Sequence, residues 1–258
     1  VTTKKKILLA GETWISSATH IKGFDQFYTT TSHSGAEPFI AALHAAGFDV
    51  DHLPGHDCAA RFPDSAEALD AYDAVILSDI GANTLLLPPA VWLDGRPVTN
   101  RLKLLRDWTA QGHGLMMVGG YLTFQGIDGK ARWHRTAVEE ALPVTCLPYD
   151  DRLEIPEGFH AEILKADHPL LRGMPADWPL LLGANEVTCR DRADCEVLVR
   201  LPKAEGGHPL LVTGHWGRGR TVAWMSDIGP HWVPNEFVQW PGYATLWGNI
   251  MGWLTQQG

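Results

Sequence analysis

Gly112-His113-Gly114-Leu115-Met116-Met117-Val118-Gly119-Gly120-Tyr121 is the stretch on which the fold turns. Four apolar residues without polar alternation read as a strand buried on both faces, the mark of a parallel sheet. The glycines before it end a helix. Those after it open a turn in which backbone can approach a ligand closely. Working outward, the same grammar recurs. Lys6 to Ala10 is a short apolar strand that stops at Gly11, followed by a long polar loop from Glu12 to Ser34. Glu37 to Ala46 is a helix with Phe39, Ile40 and Leu43 on one face, closed by Gly47. Phe48 to Leu53 and Tyr72 to Ser78 are further strands. Asn100 can cap a helix that turns Leu102, Leu105 and Trp108 inward.

Strands separated by helices give an α/β fold. The expectation is a flavodoxin-like, doubly wound, mostly parallel sheet with helices on both faces. Right-handed crossovers bring the strand ends, and with them Glu12, Asp79 and Gly119-Gly120-Tyr121, to one edge. The second half is β-rich. Leu180 to Leu182, Glu196 to Leu201, Pro209 to Thr213 and Thr221 to Met225 are its strands, and Gly214 to Arg220 has hairpin turn chemistry. Tyr243 to Leu254 closes the chain as a helix. No linker or repeat divides residues 1–258, so one domain is expected.

Composition narrows the function classes. The chain has 258 residues, 45% of them apolar, and a net charge of −9. A nucleic-acid surface would show a basic stripe, and the basic run here is Lys4-Lys5-Lys6. No apolar run has the length of a membrane span, and Ile7 to Ala10 is too short for a signal-peptide core. Cys58, Cys146, Cys189 and Cys195 form no C-x-x-C pair and read as reduced thiols. The expectation is a cytoplasmic protein with no nucleic-acid or membrane partner. Twelve histidines show no metal-ligand spacing, so neither metal nor cofactor is expected.

The glycine-bounded strand ending at Tyr121 resembles the strand-to-elbow segment of class I glutamine amidotransferase-like proteins. Gly217-Arg218-Gly219-Arg220-Thr221-Val222-Ala223-Trp224 and Tyr243 to Ile250 resemble the branch that contains trehalose-utilisation-type proteins. More narrowly, four pieces look like bacterial cytoplasmic proteins of this superfamily. They are Gly11-Glu12-Thr13-Trp14, His20 to Asp25, Gly119 to Gly126 and Ser226 to Trp232. Working amidotransferases of the class carry at the elbow a cysteine activated by a histidine, with backbone N–H groups for the oxyanion. This chain has Tyr121 at that place, and a phenol is a poor substitute for a thiolate at neutral pH. The family's late His-x-Glu pair is also missing, the nearest residues being His231 and Glu236. Thiol-dependent glutamine hydrolysis is therefore not expected.

The candidate chemistry lies at the strand ends. His231 is the acid/base candidate, with Asp227 and Tyr121 beside it. Glu12, Asp79 and Asn83 can orient a polar ligand, or serve as turn and cap residues. Gly120 permits close approach, and Phe124 and Trp232 flank the turns. Trp14, His20 and Lys22 sit in the long loop, where a ligand or subunit-contact role is expected of so long a segment. Eleven tryptophans, several beside carboxylates, suit a small polar, carbohydrate-like ligand, or equally core and subunit contacts in a homo-oligomer. The competing reading is a non-catalytic binding or assembly protein on the same scaffold.

Overall fold

In the computed structural model, which describes residues 4–256, eight strands form one central sheet and three two-stranded sheets lie outside it. The elements in chain order begin with β1 (Lys6–Gly11), β2 (Thr13–Lys22), β3 (Asp25–Ser34), α1 (Glu37–Ala45), β4 (Asp49–Leu53) and α2 (Gly55–Arg61). Then come α3 (Ala66–Leu69), β5 (Ala74–Ser78), α4 (Ala82–Leu86), α5 (Pro89–Trp92), α6 (Arg101–Ala110), β6 (Gly114–Val118) and α7 (Ala137–Ala141). The second half adds β7 (Val144–Cys146), β8 (Arg152–Phe159), β9 (Glu162–Ile163), β10 (Leu181–Asn185), β11 (Val187–Cys189) and β12 (Glu196–Arg200). It ends with β13 (Pro209–Trp216), β14 (Gly219–Trp224), α8 (Asn235–Val238) and α9 (Gly242–Leu254).

The eight-stranded sheet runs β4-β1-β5-β6-β14-β13-β12-β9. Its first five strands pair in parallel, and the pairings beyond β14 are antiparallel. This is the flavodoxin-like plan expected from the sequence, extended by a β-rich half. β5 and β6 are buried at every position, as their unbroken apolar sequences require. The core spreads over both faces of the sheet and takes in Phe39, Trp108, Trp224, Phe237 and Trp247. α1 packs on α9, while α6 contacts α3, α4 and α7. Asn100 caps α6 as its sequence suggests, accepting from the N–H groups of Leu102 and Lys103. No helix among the described residues is long and apolar enough to cross a membrane.

Parallel pairing has one consequence for function. β1, β5, β6 and β14 are consecutive neighbours, so the residues following them share one edge. β1 is also where the strand order reverses, and ligands of such sheets bind at that crevice.

The segment from Glu12 to Ser34 corrects the expectation of an irregular loop. It is a β-hairpin, β2 against β3, with ten consecutive cross-strand pairs from Thr13–Ser34 to Lys22–Asp25. Gly23 supplies the positive φ of 66° at the first position of a two-residue turn, as a type II′ hairpin needs. Sequence patterning does not reveal it, for a physical reason. Beyond Thr13 both strands are exposed at every position, so no face is buried and no apolar alternation is imposed.

Candidate active site

β1 ends in a forced turn. Gly11 has a φ of 102°, and a side chain there would overlap the Ser78 carbonyl. Glu12 follows with a φ of 55°, a conformation that costs an L-residue energy and persists where its surroundings fix it. Its N–H donates to the Ser78 carbonyl at 2.7 Å, and its own carbonyl accepts from Gly35 at 3.1 Å. The turn drives the Glu12 carboxyl inward, where Oε2 accepts from the Ser78 hydroxyl at 2.6 Å. Burial, reinforced by the charge of Asp227, pushes this carboxyl up to about 8, against the opposing pull of the Ser78 hydrogen bond. Glu12 is therefore mainly protonated at neutral pH and can donate a hydrogen bond.

Asp79, after β5, is likewise left-handed, with a φ of 46°. It accepts from the backbone N–H of Leu122 at 2.8 Å and from that of Tyr121. Burial raises its carboxyl above the usual range despite those bonds. The preceding amide is also taken. Gly120 N–H donates to Asn185 Oδ1 at 2.9 Å, and Asn185 Nδ2 donates to the Gly120 carbonyl at 3.1 Å and to Asp151 at 2.8 Å. Asp151 also holds the N–H groups of Gln125 and Gly126, and burial pushes it up to about 6. The turn after β6 thus spends its amides on Asn185 and Asp79. They are not aimed at a substrate oxygen, as an oxyanion hole requires. Tyr121 itself is absent from the residues of positive φ, unlike the strained nucleophile of such an elbow. Gly120 is squeezed between acids: a Cβ there would stand 3.1 Å from both Asp79 and Asp227.

Beyond β14 the chain supplies the base. Asp227 Oδ2 accepts from His231 Nδ1 at 3.0 Å and from the Trp232 N–H at 2.9 Å. The Asp227 hydrogen bond raises the imidazole pKa, more than partial burial lowers it. With Nδ1 bonded to the carboxylate, Nε2 is left as the atom that can exchange a proton with a ligand. The Tyr121 ring meets His231 edge-on at 4.5 Å, and the Trp232 ring stacks on His231 at 5.2 Å. Trp232 is fixed in turn by its indole N–H on Glu154, at 2.9 Å. The Arg152 guanidinium lies 4.8 Å from the Tyr121 ring centre. Burial, then the neighbouring Glu154, pushes the Tyr121 phenol further above its ordinary range.

These groups line a cleft of about 440 Å³, walled by Trp14, Tyr121, Leu122, Ile127 and Pro230, into which Glu12, Asp79, Asp227 and His231 converge. Of the residues expected from sequence, Glu12, Trp14, Asp79, Tyr121, Asp227 and His231 line it, and Gly120 lies between its acids. Phe124 and Trp232 are buried, behind rather than in the wall. Asn83 is an exposed residue of α4 that does not line the cleft. His20 and Lys22 lie near the hairpin tip. His20 stacks on Phe27 and bonds Thr29 at 2.9 Å, and neither residue lines the cleft. Asn185 and Asp151 escape sequence reading because the strand expected at Leu180 to Leu182 stops short of Asn185, and no local pattern marks β8, which Asp151 precedes. Leu122 and Ile127 are ordinary apolar residues with no motif. A larger cavity of about 710 Å³ lies beside Asp128, Arg132, His134 and Tyr149. Its acids are already paired, Asp128 with Lys130 and Asp150 with Arg152.

No cysteine lines the cleft. Cys58 is buried and pushed up to about 12, and burial also raises Cys146, Cys189 and Cys195. None is poised as a thiolate.

Residues 6–256 match the family described as "Putative glutamine amidotransferase". Two solved structures, both of cytoplasmic proteins from Salmonella typhimurium, superpose with a TM-score of 0.90 each. One is 37% identical and covers 96% of this chain and 98% of its own. The other is 39% identical, covering 96% and 99%. A ThuA-like protein from Parabacteroides merdae is 13% identical over 99% of this chain and 91% of its own. Its TM-score of 0.57 is a likeness of fold alone. No curated protein matches the chain in sequence.

Proposed function

The chain belongs to the glutamine amidotransferase-like family, and on that premise we propose that its strand-end cleft binds a small, hydroxyl-rich ligand and moves a proton on it, without a thiol step. The observation that carries this reading is the Asp227–His231 pair, 3.0 Å apart, opening into the cleft that the buried Glu12 carboxyl also lines. An imidazole oriented by a carboxylate is a general base near neutrality. A carboxyl that burial keeps protonated is the complementary hydrogen-bond donor in the same cleft. In this scheme His231 Nε2 takes a proton from the ligand, Glu12 donates to a ligand oxygen, and Asp79 orients a hydroxyl. Trp14 and Tyr121 supply flat apolar walls, against which the C–H faces of a sugar or polyol can pack.

The occupied amides at the turn after β6 argue against acyl transfer from glutamine on independent grounds. A cysteine at position 121 would find the Gly120 and Leu122 N–H groups of its own turn already bonded. Purified protein incubated with glutamine is expected to release neither glutamate nor ammonia. A thermal-shift screen of sugars, polyols and sugar acids is expected to find stabilising ligands, with turnover followed by NMR. If only ligands lacking hydroxyl groups bind, or if glutamine is hydrolysed, the reading fails. The second reading, a binding protein without chemistry, predicts that such ligands stabilise the protein and are never turned over.

A further inference from the structure

The β2–β3 arm is the largest region of the molecule that the cleft leaves unused. Over ten paired positions neither face is covered, and Ile21 and Tyr28 are 71% and 70% exposed. Phe24 at the turn is fully exposed. An isolated two-stranded hairpin is marginal in water, so an arm of this length calls for a surface to lie on. Its make-up says which. Residues 13–34 hold one lysine and one aspartate, a formal charge of zero, on a chain of −9. β3 has neither lysine nor proline, the residues that blunt an exposed edge. The root of β2 is engaged, with Thr13 Oγ1 accepting from the Gly55 N–H at 2.7 Å. Both outer edges of the two-stranded arm are open, and that of β3 is the one clear of α2 at its root.

We propose that the arm clasps a second copy of this chain, two arms pairing antiparallel along their β3 edges about a two-fold axis. An isologous contact needs a self-complementary surface. A neutral arm rich in threonine, serine and aromatic residues meets that need, and it holds two acidic bodies apart. The size also fits. Ten-residue strands are about 34 Å long. A full antiparallel ladder of that length can form about one backbone hydrogen bond per residue across the seam, and it turns two marginal two-stranded arms into one four-stranded sheet. Antiparallel pairing sets the tip of one arm beside the root of the other. The root carries Trp14, so the partner's Phe24 comes to the rim of the cleft.

Two measurements test this on the full chain. Size-exclusion light scattering is expected to give an even multiple of the chain mass. Replacing residues 18–29 by Asn-Gly, which keeps Ser17 paired with Thr30, is expected to halve it or more. The double variant Ile21→Asp/Phe24→Asp should do the same while melting as cooperatively as the parent. A full-length monomer, or a shortened arm that keeps the parental mass, overturns the proposal. Secondly, Phe24→Cys chains mixed with Ile15→Cys chains are treated with a short bismaleimide, with the parent chain as control. Cross-linking of the mixture well above either variant alone is expected. Cross-linking that is strongest in Phe24→Cys alone would mean tip-to-tip contact and would overturn the antiparallel arrangement.

Discussion

The strand-end edge and the hairpin arm leave the same corner of the molecule and treat water in opposite ways. At the edge, Glu12, Asn185 and Asp227 are nearly shut off from solvent, Asp79 is half-buried, and their side chains have fixed partners. One residue further along, the chain enters twenty strand residues with no buried side chain. Removing water penalises the charged form of Glu12, and the Asp227 hydrogen bond holds the proton on the more open His231, so both depart upward from their ordinary proton affinities. Leaving a surface exposed does nothing for proton chemistry and everything for recognition by another molecule. In the proposed reading the edge acts and the arm is met.

The largest test of this division is kinetic. His231→Ala is expected to cut turnover of a screened ligand by about 10²–10⁴-fold, the usual worth of a general base, while binding survives. Lys22→Ala in the arm should leave the rate of the bound ligand unchanged. An equal loss in both variants would erase the distinction.

Next in size is Asn185→Ala. It strips partners from Gly120 and Asp151 together, and each buried group left unsatisfied costs about 1–3 kcal/mol, read from urea unfolding.

The third effect is of pH. Glu12 has a folded pKa of about 8 against an ordinary 4.5, so the folded state holds the extra proton between those values. Its contribution to stability is full below pH 4.5, declines as pH rises, and is gone above 8. Unfolding midpoints measured across that window should fall with rising pH. Glu12→Gln, which cannot titrate, should flatten the decline. A midpoint that rises with pH in the parent and is indifferent to Glu12→Gln contradicts the assignment.

The smallest effect belongs to the arm. Thr31→Ala deletes an exposed 2.9 Å bond to His33 and should shift stability by no more than about 0.5 kcal/mol.

The same contrast explains what can be read in the sequence. β1, β5 and β6 are legible because full burial writes itself as unbroken apolar runs. Glu12, Asp79 and Tyr121 are legible because they follow those runs, and parallel strands end on one edge. Where nothing is buried, nothing is written, so the arm reads as a loop, and His20 and Lys22 count as candidates for a cleft they do not line. Asn185 is hidden for another reason. Its role depends on the pairing of β10 with β8, a register no local pattern encodes. The occupied amides after β6 are equally invisible, since they depend on Asp79 and Asn185 arriving from distant segments.

That His231 is a base oriented by Asp227 can be observed without a substrate. Imidazole ¹⁵N resonances followed through a pH titration should place His231 above the ordinary 6.5, with the neutral ring protonated at Nδ1. In Asp227→Asn the value should fall back toward 6.5 or below it. A His231 that titrates at or below 6.5 in the parent, or that is indifferent to Asp227→Asn, would contradict this assignment.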